Sequence, residues 1–424
     1  MANKSELKVE IPKGWKYLPF GNVFEFVQSL ALSRDQLTVD REEGEIFNIH
    51  YGDIHATYKT DMLDFDKEEN IPRIKGMGSS KTVPFLEDGD LLIADASEDY
   101  EGVAANLEIK NIKSRKATGG LHTFVARDNS GLTVQGFRTY ILKNPAIAKE
   151  IKKLATGSKV YGISKTNLAT LKILIPTKKE QTRIAGILET WDTAIEIVEE
   201  LINKKERIKR DAMHLLLTGK IRFKKFDGEH WKKHQLQEIT TVIRGSSPRP
   251  KGDPKYYGGR IPRLMVEDVT RDGKYVTPNV DFLTVEGAKL SRPVSKGTLV
   301  LVCSGDIGIP SILNVDACIH DGFIGFKDVN KDVNIEFLYY RFLLMKEEFN
   351  RSATHGGIFT NLTTTGIKEQ VISMPSKKEQ DDIVKVINSF DEEIATLRTQ
   401  HRHIHNQKRG LMQTLLTGKI QLKL

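Results

Sequence analysis

The sequence predicts an α+β protein: two α/β domains joined by two long helices that form an antiparallel coiled coil, arranged as a pseudo-two-fold internal repeat. Three observations carry this. The six letters LLTGKI occur twice, from Leu216 to Ile221 and from Leu415 to Ile420, at an offset of 199. Each copy closes a long run without proline whose apolar residues recur every three or four positions. The stretches that precede the two runs are unlike each other, and both mix short β-rich segments with turn clusters.

At the same offset the likeness extends well beyond six letters. From Pro176 to Phe223, 17 of 48 positions are identical to Pro375–Leu422 without a gap. Agreement of that density marks an internal repeat. Fainter echoes precede each copy: Trp15-Lys16 matches Trp231-Lys232, and Gly89-Asp90-Leu91-Leu92-Ile93 matches Gly297-Thr298-Leu299-Val300-Leu301. The expected order is a first variable domain over 1–175, a helix over 176–222, a second variable domain over 223–374 and a second helix over 375–424.

Within the runs, Ile184, Leu188, Trp191, Ile195, Val198 and Ile202 in one copy, and Ile383, Ile387, Phe390, Ile394 and Leu397 in the other, alternate in steps of four and three. A 3.5-residue period held over several heptads is a coiled-coil seam. The same stripe also suits two amphipathic helices packed separately on their own domains. Each helix would be roughly 57 Å long at 1.5 Å per residue. Thr218-Gly219 and Thr417-Gly418 are expected to end the helices, the glycine taking a left-handed cap. Antiparallel pairing lets the end of the first helix hand the chain directly to the second domain. Midway the seam turns polar, with Lys205 and Lys209 in one copy and His401 and Lys408 in the other. Polar seam residues set register. A basic surface beside a phosphate backbone is the other reading, since Lys204 to Lys225 holds nine Lys/Arg against two Asp/Glu.

In the variable regions, strands are expected at Asp90–Ala94, Leu121–Ala126, Thr298–Cys303 and Gly322–Lys327, and helices at Asn144–Leu154 and Ile335–Asn350. This is α+β patterning, without alternating βαβ units.

Composition narrows the function. Hydrophobic content of 39% and charged content of 28% fit a globular domain protein. No stretch approaches the ~20 apolar residues of a membrane span, and the N-terminal residues lack a signal-peptide core. Two cysteines, Cys303 and Cys318, exclude a disulfide scaffold and suit the cytoplasm. A net charge of +8 favours a polyanionic partner.

The richest loop runs from Ile243 to Arg263, IRGSSPRPKGDPKYYGGRIPR. It carries Arg244, Arg249, Lys251, Lys255, Arg260 and Arg263 against Asp253 alone, with Ser246, Ser247, Tyr256 and Tyr257 among them. Arg can hydrogen-bond guanine through two donors, and Lys and backbone N–H groups position phosphates. A solvated surface loop has the same composition. In the first region SLALSR contributes Ser33 and Arg34, and HYGDIH contributes His50 and Tyr51, although its histidines also suit a core or a turn. GMGSSKT contributes Ser79, Ser80 and Lys81. A further loop precedes each helix: TGSKVYGISKTN, with Lys159 and Tyr161, and THGGIFTNLTTT, with Thr360 and Asn361. All are candidate DNA contacts, and all could be ordinary Gly-Ser-Thr loops.

Catalytic motifs are absent. Every Gly-Lys pair is followed by Ile or Tyr, so there is no P-loop, and GxSxG, HExxH and Asn-Pro-Pro-aromatic do not occur. HRHIH places only His401 and His405 on one helical face, short of the four ligands of a structural zinc. Neither a cofactor nor a metal is expected.

Lys179-Glu180-Gln181 before Ile184 and Leu188, Lys378-Glu379-Gln380 before Ile383 and Ile387, and the two LLTGK ends together resemble the specificity (S) subunits of type I restriction–modification enzymes. HYGDI, RGSSP…YYGGRIP and Ser304-Gly305-Asp306-Ile307-Gly308 look like patterns of the same family, and the likeness spans nearly the whole chain. Where the family often shows a proline-richer run before Glu-Gln, this chain has Pro-Thr-Lys-Lys and Pro-Ser-Lys-Lys. The resemblance implies two target-recognition domains, each reading half of a split double-stranded DNA sequence. The helix pair would be a spacer and a dock for two DNA-adenine methyltransferase subunits, with motor-nuclease restriction subunits joining the complex. The chain itself would be non-catalytic and cytoplasmic. Rival readings are a complete enzyme and a coiled-coil adaptor that binds only proteins.

Overall fold

The proline-free repeats fold as helices of 40 and 39 residues, Lys178–Leu217 and Lys377–Leu415, in the computed structural model. It describes residues 11–40, 44–58, 60–76, 84–352, 354–356 and 359–422. Each helix ends as its glycine requires. Gly219 (φ +72°) and Gly418 (φ +68°) turn left-handed. The amides of Ile221 and Ile420 reach back 3.3 Å to the carbonyls of Leu215 and Thr414. This satisfies carbonyls that the helix end would otherwise leave open.

The chain forms two compact units, each holding half of each helix: Met1–Glu200 with Arg398–Leu424, and Leu201–Leu397. In the first unit Ile184 and Leu188, early in the first helix, share one core with Leu415 and Leu416, late in the second. In the second unit Leu216 and Leu217 share a core with Ile383 and Ile387. Early residues of one helix therefore meet late residues of the other, and the pairing is antiparallel. The lysines of the polar part of the seam are ion-paired, whereas His401 Nε2 has no hydrogen-bond partner among the described residues. Lys205 reaches Glu393 at 2.6 Å and Lys209 reaches Asp391 at 2.5 Å. Lys408, buried, is bonded to Asp192. These ammonium groups are committed to helix pairing, as register control requires.

The two domain portions have one strand plan. The first unit's five-stranded sheet runs, edge to edge, Phe24–Val27, Thr123–Asp128, Leu91–Ala94, Asn106–Lys110 and Met62–Asp64. The second unit's runs Thr241–Arg244, Phe323–Lys327, Leu299–Val302, Pro310–Leu313 and Tyr275–Val276. In both, the last pair is parallel and the others antiparallel. Each unit adds a four-stranded sheet containing one parallel pair: Ile46–Ile49 with Lys116–Gly119, and Tyr257–Leu264 with Ala317–Ile319. The central strands Leu91–Ala94 and Leu299–Val302 are wholly buried, which is why both read as unbroken apolar runs.

The expected strands appear, with small shifts at their ends. The helix expected at Asn144–Leu154 is Pro145–Leu154, capped by the Asn144 side chain. The helix expected over Ile335–Asn350 divides into Ile335–Leu344 and Lys346–Ser352. At the break Met345 has ψ +2°, and its N–H is shared by the carbonyls of Arg341 and Phe342, which closes the first helix.

The Lys-Glu-Gln motif ties helix to domain. Gln181 Oε1 accepts the Val134 N–H at 2.8 Å, and its amide donates to the carbonyls of Leu132 (2.9 Å) and Pro176 (2.8 Å). Gln380 repeats this with the N–H of Asn334 (2.8 Å) and the carbonyls of Asp332 (3.2 Å) and Pro375 (3.0 Å). A buried amide with its carbonyl and amino group both satisfied is a directional anchor that apolar packing cannot supply. The glutamates divide differently. Glu180 accepts the Trp15 indole N–H at 3.1 Å, whereas Glu379 holds Arg222 through two bonds of 2.9 and 2.6 Å. The cap glycines also pack on the tryptophans that open each domain: a Cβ on Gly219 would lie 3.2 Å from the Trp231 ring, and one on Gly418 3.4 Å from that of Trp15.

Candidate nucleic-acid interface

In the second unit the basic loop leaves strand Thr241–Arg244 and is fastened at its base. Gly245 passes so close to the strand end that a Cβ would lie 2.0 Å from the His320 carbonyl oxygen. Ser246 N–H bonds Ile319 O at 3.0 Å, and Ser246 Oγ donates to Leu290 O at 3.2 Å. Ser247 Oγ bridges Asp321 and the Arg263 guanidinium. Arg263 is buried, pairs with Asp281 at 2.5 Å and lies 5.5 Å from the Tyr257 ring centre. Tyr257 in turn donates to Pro248 O at 2.8 Å. Arg244 is bonded to Asp321 O (3.0 Å) and Leu362 O (2.8 Å). Arg244, Ser246, Ser247, Tyr257 and Arg263 therefore shape the loop from within.

Arg249, Lys251, Lys255 and Arg260 are exposed, and their charged groups make no hydrogen bond or ion pair among the described residues. Lys255 Nζ stands 5.5 Å from the half-buried Tyr256 ring. Asp253, the one acid of the loop, is used locally: its side chain accepts the Lys255 N–H at 2.9 Å. The result is a loop anchored at its base that exposes four cations beside a half-buried tyrosine, the chemistry that phosphates and base edges take. Thr360 and Asn361 lie on the short strand Phe359–Asn361, which ends beside Leu362, Arg244's partner.

The first unit builds the equivalent rim differently. Ser33 caps a short turn through Gln36 at 2.9 Å. Arg34 is held by buried Asp53 through bonds of 3.0 and 2.8 Å, and Asp53 also accepts the His50 N–H at 3.1 Å. The second unit repeats that last bond between Met265 N–H and Asp268 at 3.0 Å, so the aspartates of HYGDI and MVEDV are turn-forming groups. His50 is buried; burial lowers its pKa, and its Nε2 has no partner among the described residues. Tyr51 is half-buried between the rings of His122 (5.3 Å) and His55 (6.1 Å). His55 bonds Ala96 O at 3.0 Å, and strand Ala96–Ser97 pairs with Tyr161–Gly162. Asp53 thus gathers Arg34 and His50, with Ser33 and Tyr51 next to them in the chain, while Tyr161 lies on the strand paired with the one that His55 holds, and Lys159 is exposed. Ser79, Ser80 and Lys81 lie outside the described residues.

Sequence reasoning missed His122 and His320, which close the loops entering strands Thr123–Asp128 and Phe323–Lys327. Burial and the neighbouring Arg263 push His320 down to about 4, so its ring is neutral at neutral pH. Its Nδ1 accepts the Gly322 N–H at 2.9 Å. The signal for both was position, one loop before a strand already legible. The helix histidines His401 and His405 meet ring to ring at 4.6 Å. Among the described residues no group of three or more His, Cys, Asp or Glu is placed to hold a metal ion, and no helix is long and apolar enough to cross a membrane. Burial pushes the Cys303 thiol up to about 11, which leaves it unreactive near neutral pH.

A model of the type I restriction modification DNA specificity domain matches residues 12–207 and again 228–405. A putative type I restriction enzyme MjaX specificity subunit of Methanocaldococcus jannaschii is 25% identical over 433 residues, covering 98% of this chain and 95% of that protein. The type I restriction enzyme EcoKI specificity subunit of Escherichia coli K12 is 22% identical over 430 residues, covering 96% and 88%. Among solved structures, the type I restriction–modification S subunit from M. genitalium superimposes with a TM-score of 0.53 at 16% identity, over 98% of this chain and 99% of that one. A chain from a type I restriction–modification system does so with a TM-score of 0.62 at 14% identity, over 97% and 100%. At such identities the structural likeness speaks for the fold.

Proposed function

The chain belongs to the type I restriction modification DNA specificity family, and from that premise we propose that it selects a split double-stranded DNA sequence, one word per unit, for a type I restriction–modification complex. The observation that carries this is the fastened loop of the second unit, with Arg249, Lys251, Lys255 and Arg260 unpaired and exposed. Lys251 and Lys255 suit phosphates, and Arg249 and Arg260 suit the two acceptors of guanine in the major groove. Arg244 and Arg263 hold the loop that presents them. In the first unit the word is read by the rim of Ser33, Tyr51, Lys159 and Tyr161, with His50 and Arg34 behind it and Ser79, Ser80 and Lys81 adding contacts.

Two short contacts that are weak alone become one specific site when a stiff connector raises their effective concentration. The helix pair is that connector and docks two methyltransferase subunits, through which restriction subunits join. The chain carries no reaction itself; extrusion of the target adenine and methyl transfer belong to the partner. The complex works in the cytoplasm. The test maps modified adenines in a methylation-free host carrying the whole system, and repeats the mapping with Arg249→Ala and Arg260→Ala. Relaxed reading of one word with the other intact is expected; equal loss at both words, or modification without a split sequence, overturns the assignment.

A further inference from the structure

Two tyrosines, one in each unit, plug the paired helices. In the first unit Tyr140 leaves the domain helix Arg138–Ile141 and donates its hydroxyl to Asp192 Oδ2 at 2.9 Å. Lys408, on the second long helix, bonds the other Asp192 oxygen and also Asp61 Oδ2 at 2.7 Å. In the second unit Tyr340 leaves the domain helix Ile335–Leu344, and its hydroxyl lies 2.7 Å from Asp391 Oδ2 and 2.6 Å from Asn388 Oδ1 on the same long helix. Lys209, on the first long helix, bonds Asp391 Oδ1 at 2.5 Å. Both tyrosine rings are buried, and each lysine ammonium lies near the ring it serves, 5.6 Å for Lys408 and 6.0 Å for Lys209. Each triad therefore joins three elements: a domain helix through its tyrosine, one long helix through its aspartate, the other through its lysine.

The triads recur although their surroundings do not. Asp192 and Asp391, and Lys209 and Lys408, stand at the repeat offset of 199 and are among its identical positions. Around them the first domain supplies Asp61 and Lys143, while the second supplies Lys274 and Glu336. Burial alone would raise the Asp61 carboxyl, but Lys143 and Lys408 hold it below the usual carboxylate range. Ion pairs that are only partly enclosed add little net stability, because desolvation and solvent screening offset their attraction; what they penalise is any arrangement that separates them. A slip of one heptad would set Asp391 opposite Leu216 or Ile202, and Asp192 opposite Leu415 or His401. Either slip separates Lys408 from Asp192 and Lys209 from Asp391 across the helix pair.

We propose that Tyr140–Asp192–Lys408 and Tyr340–Asp391–Lys209 are positioning clamps that lock each DNA-reading domain to both long helices at once, so that the clamps, together with helix length, set the gap accepted between the two words. This rests on the split-site reading above. The experiment uses the full chain in its complete complex, maps modified adenines, and compares sites with the native gap against sites one base pair longer or shorter. Tyr140→Phe and Tyr340→Phe keep the rings and remove only the hydroxyls. Each should raise the off-length share about fivefold, the equivalent of one hydrogen bond of ordinary strength, with both words unchanged. Asp391→Lys should do more, and adding Lys209→Asp should restore selectivity. Overall modification or thermal stability that falls while gap selectivity stays native overturns the proposal and leaves the triads a stabilising role. Altered words overturn it as well. A wild-type complex that modifies no split sequence removes the reading beneath it.

Discussion

In the first unit Arg34 is spent on the buried Asp53, while in the second Arg249 and Arg260 stand unpaired on a loop whose inner arginines do the fastening. The sheets behind both rims have the same strand order, and the same Gln anchors join them to the helices. The units therefore differ where a partner would touch and agree where the chain supports itself. Fixed sheets and helix sockets carry loops that are free to differ, which is how one scaffold can present two chemistries.

The largest expected effect tests which helix end belongs to which unit. Leu217→Ala should destabilise the second unit by about 2–5 kcal/mol, and Leu416→Ala the first unit by a similar amount. Hydrogen exchange resolved by segment checks this; loss of protection in the opposite unit would break the assignment. Next comes a buried carboxyl at a sheet position where the second unit has an isoleucine. Glu108 faces Leu91 across the sheet where Ile312 faces Leu299 in the second unit. Burial pushes Glu108 up to about 7 from an ordinary 4.5, although the Gly136 N–H at 2.6 Å favours its ionised form. The folded chain thus holds a proton that the unfolded chain releases. That stability is present below the unfolded value and is lost as pH rises through the folded one, roughly 3 kcal/mol in all. Glu108→Gln should flatten the pH dependence of the first unit and leave the second unit's unchanged, as followed by exchange at several pH values.

A smaller effect concerns the rims. Replacing Arg249 or Arg260 by Ala should lower the slope of log affinity against log salt by about 1 if its contact is a phosphate, and relax one base position if it is guanine. Arg34→Ala should instead cost stability in the first unit, because it strands Asp53; binding titrations beside thermal melts separate the two. The smallest effect is expected from Lys205→Met. Its pair with Glu393 is partly exposed, and such pairs contribute about 0.5 kcal/mol or less. A larger loss would mean that this pair, too, takes part in fixing register.

Much of this was legible before any coordinates. The offset of 199, the seam and the glycine caps are local patterns, and periodicity reports them because side chains three and four apart share a helix face. The basic loop was legible as charge, and the four cations it leaves unpaired are among its six. The other two, Arg244 and Arg263, looked the same in the sequence; only folding brought Asp321, Asp281 and Leu362 to them. Tyr140 and Tyr340 carried no signal, since each meets an aspartate 52 and 51 residues away and a lysine on the other helix. The lysines and aspartates were visible as repeated letters, but not as partners. What the sequence determined by itself is the duplicated plan and the helices, which arise from contacts between near neighbours. Which charges are spent and which remain available was decided by the tertiary structure, because pairing depends on groups that only a folded chain brings within hydrogen-bonding distance.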